Sequence, residues 1–109
     1  MAYDEGLADR IRALLDGRDP IEKQMFGGIG FMVGGKMAIA ASGRGGIMVR
    51  VDPDESDALC EGEGVERMIM RGRPLDGWLR VQAAQVDSDS DLRAWIERGV
   101  RAADAAGAA

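Results

Sequence analysis

The sequence predicts an α+β domain in two layers, with a five-stranded, mainly antiparallel sheet and helices on one of its faces. The predicted order is α-β-β-β-α-β-β-α. Apolar residues recur at helical spacing near both ends of the chain, and between them short segments alternate apolar and polar residues as half-buried strands do. Glycine pairs separate these segments by the short turns that antiparallel neighbours allow. The 109 residues fit a single domain over residues 1–109, with one hydrophobic core.

The first helix is predicted from Asp4 to Asp16. Asp4 is a suitable N-cap, and Gly17 is a suitable residue at which the helix ends. Four apolar residues fall on one face at helical spacing: Leu7, Ile11, Leu14 and Leu15. Asp19-Pro20 then directs the chain into extended structure, because a proline disfavours the helical conformation in the residue before it.

The next segment, from Ile21 to Val33, is predicted as one long strand with a kink at Gly27-Gly28. Glycine inside a strand pattern marks a bulge, a bend or the close approach of another backbone or a ligand. The segment is therefore interpreted either as the bend of a small sheet or as the floor of a site. The strand-forming residues around the glycines favour the bend.

Two further strands follow in an antiparallel meander. Gly34-Gly35 predicts a two-residue hairpin turn, since a type I′ turn needs positive φ at both central residues. The strand over Lys36–Ser42 is expected to place three apolar residues on one face: Met37, Ile39 and Ala41. A second turn at residues 43–46 leads to a half-buried strand over residues 47–51.

The second half of the chain is predicted as a helix, two strands and a helix. Asp52-Pro53 begins a short acidic helix that ends near Cys60, because aspartate can cap and proline suits the first helical position. Strands are predicted over Glu66–Arg71 and Trp78–Gln82, with a loop between them. The last helix begins near Ser88 and should pack one apolar face on the sheet: Leu92, Trp95, Ile96, Val100 and Ala103.

Charge and composition exclude several classes of protein for this chain. The net charge of −5 argues against a basic surface for nucleic acid over the whole protein. The single cysteine, Cys60, excludes an internal disulfide. No apolar run approaches the roughly 18 residues that cross a bilayer, and the N-terminus shows no signal-peptide core. We therefore expect a cytoplasmic protein without membrane contact.

No catalytic constellation stands out in the sequence. There is no histidine, which removes the commonest general base and most metal sites. Cys60 lies among acidic neighbours that discourage thiolate formation. Gly28-Ile29-Gly30 lacks the third glycine of a dinucleotide fingerprint, because that position is Val33. We expect a non-enzymatic protein with no catalytic residue, no cofactor and no metal site.

Methionines and arginines of the predicted strands and turns are the candidate interaction residues: Met48, Arg50, Met68, Met70, Arg71 and Arg73. Side chains alternate along a strand, so the strand methionines cannot all reach one core. Some are expected on the outer face of the sheet as an adaptable contact surface, while loose filling of the core is equally open. The predicted partner is a protein, or a second copy of the chain in a homodimer. The alternative is a nucleic-acid or anionic-ligand binder that uses the sheet arginines.

Two motifs, with supporting segments at 48–51 and 92–96, carry a resemblance to a known family. The first is Met25-Phe26-Gly27-Gly28 before an apolar strand, and the second contains Pro74, Gly77 and Trp78. In this order they resemble the N-terminal domain of the TfoX/Sxy family of bacterial competence regulators and its free-standing single-domain relatives.

The resemblance implies a fold like the one predicted here and a role in protein interaction and transcriptional regulation. Full-length members of the family pair this domain with a helical C-terminal domain and act as co-activators with the cyclic-AMP receptor protein. The resemblance implies no catalytic residue.

Overall fold

The computed structural model describes residues 4–25 and 27–107, with the backbone alone at Met25, Met70 and Asp76. The helices and strands follow one another as α1 (Glu5–Leu14), β1 (Ile21–Met25), β2 (Gly28–Val33), β3 (Lys36–Ala41), β4 (Ile47–Arg50), α2 (Ser56–Cys60), β5 (Val65–Met70), β6 (Arg73–Val81) and α3 (Asp89–Gly107). This order confirms the α+β class.

The strands of this part of the chain form one antiparallel sheet, in the order β1-β2-β3-β4-β6-β5. The prediction of five strands is wrong, because the segment from Ile21 to Val33 is a hairpin of two strands and not one kinked strand. Gln24 pairs with Ile29 and Met25 with Gly28, so the chain reverses within a very short turn. A reversal and a kink leave the same glycine signal in the sequence.

The glycine at the start of β2 is required by a close backbone approach. A Cβ atom on Gly28 would lie 2.2 Å from the carbonyl oxygen of Ala41, on the neighbouring strand. No side chain fits in that space. Instead of the predicted bend in one strand, the glycines lie at a hairpin whose second strand packs closely against the backbone of β3.

The hairpin predicted at Gly34-Gly35 is confirmed, with φ of 62° and 85° at its two central residues. The predicted face of β3 is only partly correct. Ile39 and Ala41 belong to the main core, whereas Met37 packs on the opposite side of the sheet. The pairing register between β2 and β3 shifts between Phe31 and Met32, and such an irregularity exchanges the faces of the residues beyond it.

The loop predicted over residues 72–77 lies mostly within a strand, because β6 begins at Arg73. The pairing of β5 with β6 shifts between Arg67 and Ile69, so β6 contains several extra residues there. Gly77 lies in this irregular part with a φ of 85°. Its N–H donates to the Oγ of the buried Ser56 at 3.2 Å, and its carbonyl accepts from the N–H of Val51 at 2.9 Å. Both bonds join the bend in β6 to the start of the α2 region.

The predicted N-caps Asp4 and Asp52 are confirmed, whereas α1 ends at Leu14 with Leu15 as its C-cap, before the predicted stop at Gly17. Asp4 accepts the N–H of Leu7 at 3.1 Å and caps α1. Asp52 accepts the N–H of Asp54 at 2.9 Å, before a 3₁₀ turn over Pro53–Glu55 that continues into α2. Within the described chain, no helix is both long enough and apolar enough to cross a bilayer.

The helices all contribute to the main core on one face of the sheet. Its buried members include Ile11 of α1, Phe31 of β2 and Ile96 of α3, and Leu59 of α2 packs against it. Trp95 is only 8% exposed and belongs to the same core, as predicted. On the other face, a second and smaller group, here called the outer cluster, consists of Ala40, Met48 and Met68 with Met37, Leu75 and Trp78 against them.

Candidate functional site

The outer cluster gives the second face of the sheet an apolar centre. Met48 is 2% exposed and Met68 is 9% exposed, so this chain buries both of them with its own side chains. These two methionines therefore lie on the outer face, as one of the two readings of the sequence expected, but they expose little of their own surface. Trp78, which is partly exposed, packs against this cluster.

Arg50, the last residue of β4, contacts two members of the outer cluster. Its Nε donates to the carbonyl oxygen of Met37 at 2.8 Å. Its guanidinium lies 4.5 Å from the ring centre of Trp78, within the range of a cation–π contact. Burial lowers the pKa of Arg50 from its usual value, although an arginine remains protonated at neutral pH.

A groove of about 430 Å³, here called the outer groove, runs beside the outer cluster toward strand β5. It is lined by Ser42, Arg44, Met48, Glu66, Arg67, Met68, Ile69, Arg71 and Arg80. Strand β5 is an edge of the sheet, and Ile69 on it is 59% exposed. The groove therefore combines apolar side chains, arginines and one free sheet edge.

The arginines of the outer groove differ in their partners. Arg67 forms an ion pair with Asp57. The Nη2 of Arg80 donates to the Oγ of Ser42 at 3.0 Å, and Arg80 lies opposite Met48 on the paired strands. Over residues 4–25 and 27–107, neither Arg44, Arg71 nor Arg80 forms an ion pair. Three cationic groups thus line this groove without a carboxylate partner from the described chain.

The structure brings together only some of the predicted interaction residues. Met48, Met68 and Arg71 line the outer groove, and Arg50 lies at the border of the outer cluster. Arg71 lies in the turn between β5 and β6, where its φ is 54°, and Arg73 is exposed at the start of β6. The side chain of Met70 lies outside the described residues.

The described residues of the two sequence motifs lie at a turn and in an irregular strand segment. Gly27 and Gly28 form the end of the β1–β2 hairpin, while Phe26 and the side chain of Met25 lie outside the described residues. The second motif, with Pro74, Gly77 and Trp78, forms the irregular part of β6. The two motifs lie on strands β2 and β6, which are separated in the sheet by β3 and β4.

The sequence grouped Arg44 and Arg80 with the other arginines of the predicted strands and turns, but it did not indicate that these two meet at one position. Arg44 lies in the turn before β4 and Arg80 on β6, and they are far apart in the sequence. Both nevertheless meet Ser42, whose Oγ also accepts the backbone N–H of Arg44 at 3.1 Å. Only the pairing of β4 with β6 could have indicated this, and a local pattern does not contain it.

Comparison with known proteins gives one match. The family model described as the TfoX N-terminal domain matches residues 13–103, which is most of the chain. Neither a curated protein nor a solved structure matches. The matched range includes both motifs and every strand of the sheet.

Proposed function

This chain belongs to the TfoX N-terminal domain family, and from that premise we propose that it is a non-enzymatic interaction domain that binds an acidic, extended segment of a protein partner in the outer groove. The finer proposal is that this binding serves transcriptional regulation, as the resemblance to competence regulators implies. The observation that carries the proposal is the basic groove beside an edge strand.

Two features of the groove support an extended, acidic occupant. An edge strand offers unpaired backbone groups to another strand, and peptide recognition by strand addition uses them. Ile69 on β5 adds an exposed apolar side chain next to that edge. Arg71 and Arg80 supply planar donor groups that match a carboxylate, and neither has one within the described chain.

A nucleic acid is the second candidate occupant, because arginine forks also match phosphate. The net charge of −5 opposes this reading, since the binding of nucleic acid depends on a strong basic field around the protein. Among the described residues that line the groove, none has an aromatic side chain on which a base could stack. Both observations favour a protein partner.

The test is affinity capture from native cell extract with three bait proteins, each with and without nuclease. The baits are the unaltered chain, the double variant Ile69→Thr/Arg71→Gln and the single variant Arg93→Gln. Arg93 is exposed on α3 and does not line the groove, so its substitution is a charge-matched control. Threonine keeps the strand preference of residue 69, and glutamine removes the charge at residue 71 while leaving a polar side chain there.

We expect one protein to be retained by the unaltered chain and by Arg93→Gln, and to be lost with the double variant. The purified partner should then bind through an acidic segment. Deletion of that segment should abolish binding. Loss of capture after nuclease treatment would favour the nucleic-acid alternative. Equal capture by all three baits would exclude the outer groove as the docking surface.

A further inference from the structure

A second concave site lies away from the outer groove, at the end of the sheet. This cleft, here called the α3 cleft, has a volume of about 510 Å³, within the range of small-molecule sites. It lies between the C-terminal half of α3 and the segment where β4 passes into the 3₁₀ turn before α2. Its lining includes three arginines: Arg50, Arg98 and Arg101.

The charges of the α3 cleft are unbalanced in favour of the cations. Over residues 4–25 and 27–107, none of the three arginines forms an ion pair. Two acidic residues, Asp52 and Glu55, also line the cleft. The carboxylate of Asp52 already accepts the N–H of Asp54 as a helix cap. The cleft is thus net positive in a chain whose net charge is −5.

Arg50 is the most constrained of these cations. Its Nε donates to the carbonyl oxygen of Met37, and its guanidinium packs over the ring of Trp78. Its Nη1 and Nη2 donate no hydrogen bond to the described chain. A partly buried guanidinium gives up hydration, and an anion that accepts its remaining N–H groups offsets that loss. Arg50 is therefore held in place with its two terminal nitrogens unused.

Arg98 and Arg101 approach the cleft from the helix. They are three residues apart on α3, and residues at that spacing are neighbours on a helix surface. The guanidinium of Arg98 lies 4.7 Å from the ring centre of Trp95, so it is also positioned by an aromatic ring. The next residues along this face, Ala102, Ala105 and Ala106, are small and leave the space open.

The remaining walls are apolar. Trp78 and the ring of Pro53 line the cleft beside the backbone of Gly77. An inorganic ion would fill little of this volume and would not use these surfaces. An organic molecule with one anionic group could use both kinds of wall.

We propose that the α3 cleft binds a small organic anion, with its phosphate or carboxylate on Arg50, Arg98 and Arg101 and its apolar body against Trp78 and Pro53. Arginine forks bind either oxyanion through two parallel hydrogen bonds. This site is separate from the outer groove, which contains none of these residues. It adds a ligand to a domain whose proposed function needs none.

The test is titration of the isotopically labelled chain with phenyl phosphate, benzoate, inorganic phosphate and phenol, followed by the amide signal of Gly77 and the indole signal of Trp78. We expect saturable shifts of both signals with phenyl phosphate or benzoate. The compound that binds more tightly, phenyl phosphate or benzoate, identifies phosphate or carboxylate as the preferred anionic group. Inorganic phosphate should bind more weakly than the preferred organic anion, and phenol should produce no saturable shift.

Matched arginine variants locate the bound anion. Arg101→Gln should weaken binding about tenfold, as expected for loss of a charge-assisted hydrogen bond. Arg93→Gln on the same helix should bind as the unaltered chain does, and so should Ile69→Thr in the outer groove. Arg50→Gln should weaken binding as well, with the fold checked by the dispersion of its amide signals.

Three results would overturn the proposal. The first is no saturable shift with any of the anions. The second is equal weakening by Arg101→Gln and Arg93→Gln, which would indicate a general charge effect. The third is an inorganic phosphate affinity as high as that of phenyl phosphate and benzoate. Because the α3 cleft and the outer groove share no lining residue, and partner capture is measured separately from anion binding, failure of this proposal is distinct from failure of the proposed function.

Discussion

Single residues in this fold are restrained mainly by close backbone approach and by charge pairing. Gly28 lies against the backbone of Ala41, and Gly99 of α3 lies against that of Ala38, where a Cβ atom would be 2.5 Å from the carbonyl oxygen. Arg12 of α1 forms ion pairs with Asp9 and with Glu22 of β1. The first kind of restraint is steric and independent of pH, whereas the second depends on the protonation of a carboxylate.

The substitution Gly28→Ala should destabilise the fold by about 1 kcal/mol or more, because the new methyl group would collide with a backbone atom that cannot move alone. The backbone is extended at this residue, so the cost comes from the contact with Ala41 and not from φ. Chemical denaturation of the purified variant measures it.

Gly62→Ala is the matched control for Gly28→Ala. A Cβ atom on Gly62 would meet its nearest neighbour, the carbonyl oxygen of Leu59, at 3.4 Å, which is an ordinary contact. Its stability should change by less than about 0.5 kcal/mol. Unchanged stability of Gly28→Ala itself would contradict the packing described for the hairpin.

The pair between Arg12 and Glu22 should add a small, pH-dependent stability. The guanidinium of Arg12 donates from Nε to Oε2 at 2.5 Å and from Nη2 to Oε1 at 2.8 Å. These hydrogen bonds hold the pKa of Glu22 below its usual value, against the opposing effect of burial. The folded pKa is lower than the unfolded one, so the stability is present above the unfolded pKa and is lost as the pH falls through the folded pKa.

Glu22→Gln should therefore cost less than about 1 kcal/mol at neutral pH, since the pair is substantially exposed. The cost should vanish at a pH below both pKa values of Glu22. Urea unfolding over this pH range measures the difference, with Glu61→Gln as a control because the carboxylate of Glu61 forms no ion pair within the described part of the chain. A cost that does not change with pH would show that the ion pair is not its source.

The bounds of the helices follow from local sequence patterns more closely than the bounds of the strands do. The caps Asp4 and Asp52 act on backbone groups two or three residues away, so the helix starts follow from the sequence. The extent of β6 does not, because Arg73 to Gly77 form a strand only by pairing with β5 and by the bonds of Gly77 to Ser56 and Val51. Loop-like residues are thus held in a strand by tertiary contacts.

Helix α3 is joined to the core through Trp95, and the substitution Trp95→Ala should cost about 3 kcal/mol or more. The side chain is almost completely buried with Leu92 and Ile96, so its loss leaves a large cavity. Arg93→Ala, at an exposed neighbour on the same helix, should change stability by less than about 0.5 kcal/mol. Thermal or urea unfolding compares the two.

The fluorescence of Trp95 gives an independent measurement of its burial. In a Trp78→Phe background the emission maximum should be that of a tryptophan shielded from water. A maximum typical of solvent-exposed indole would contradict the position of Trp95 in the main core.

The whole molecule is a sheet with two unequal faces. The three helices and the larger core lie on one face, and the other has the outer cluster with arginines around it. An isologous dimer through that face would place these arginines near their own copies across the two-fold axis, which is unfavourable. The burial of Met48 and Met68 within one chain also reduces the apolar area available to a second copy.

Sedimentation equilibrium at micromolar concentration tests the assembly. The structure leads us to expect the mass of a monomer, unchanged by salt, in the absence of a partner. A dimer mass would instead support the homodimer predicted from the sequence. Loss of that dimer in the Ile69→Thr variant would assign it to the edge of strand β5.

The sequence alone predicted the α+β class, the family, the N-caps Asp4 and Asp52 and the hairpin at Gly34-Gly35. Each of these depends on residue types within a few positions of one another, as a cap or a two-residue turn does. The apolar face of α3 could also be identified, because helical spacing places Trp95 and Ile96 with the other core residues. The resemblance was visible because two short motifs carry it.

Tertiary contacts were needed for the rest: the number of strands, the extent of β6, the burial of Met48 and Met68, and both candidate sites. A glycine pair is compatible with a kink or with a reversal, and here the pairing of β1 with β2 makes it a reversal that packs against Ala41 of β3. Arg50 and Arg101 meet at one cleft because α3 packs beside the end of β4, and the outer groove forms because β4 pairs with β6. Such arrangements depend on packing and register between distant segments, about which a local sequence pattern contains no information.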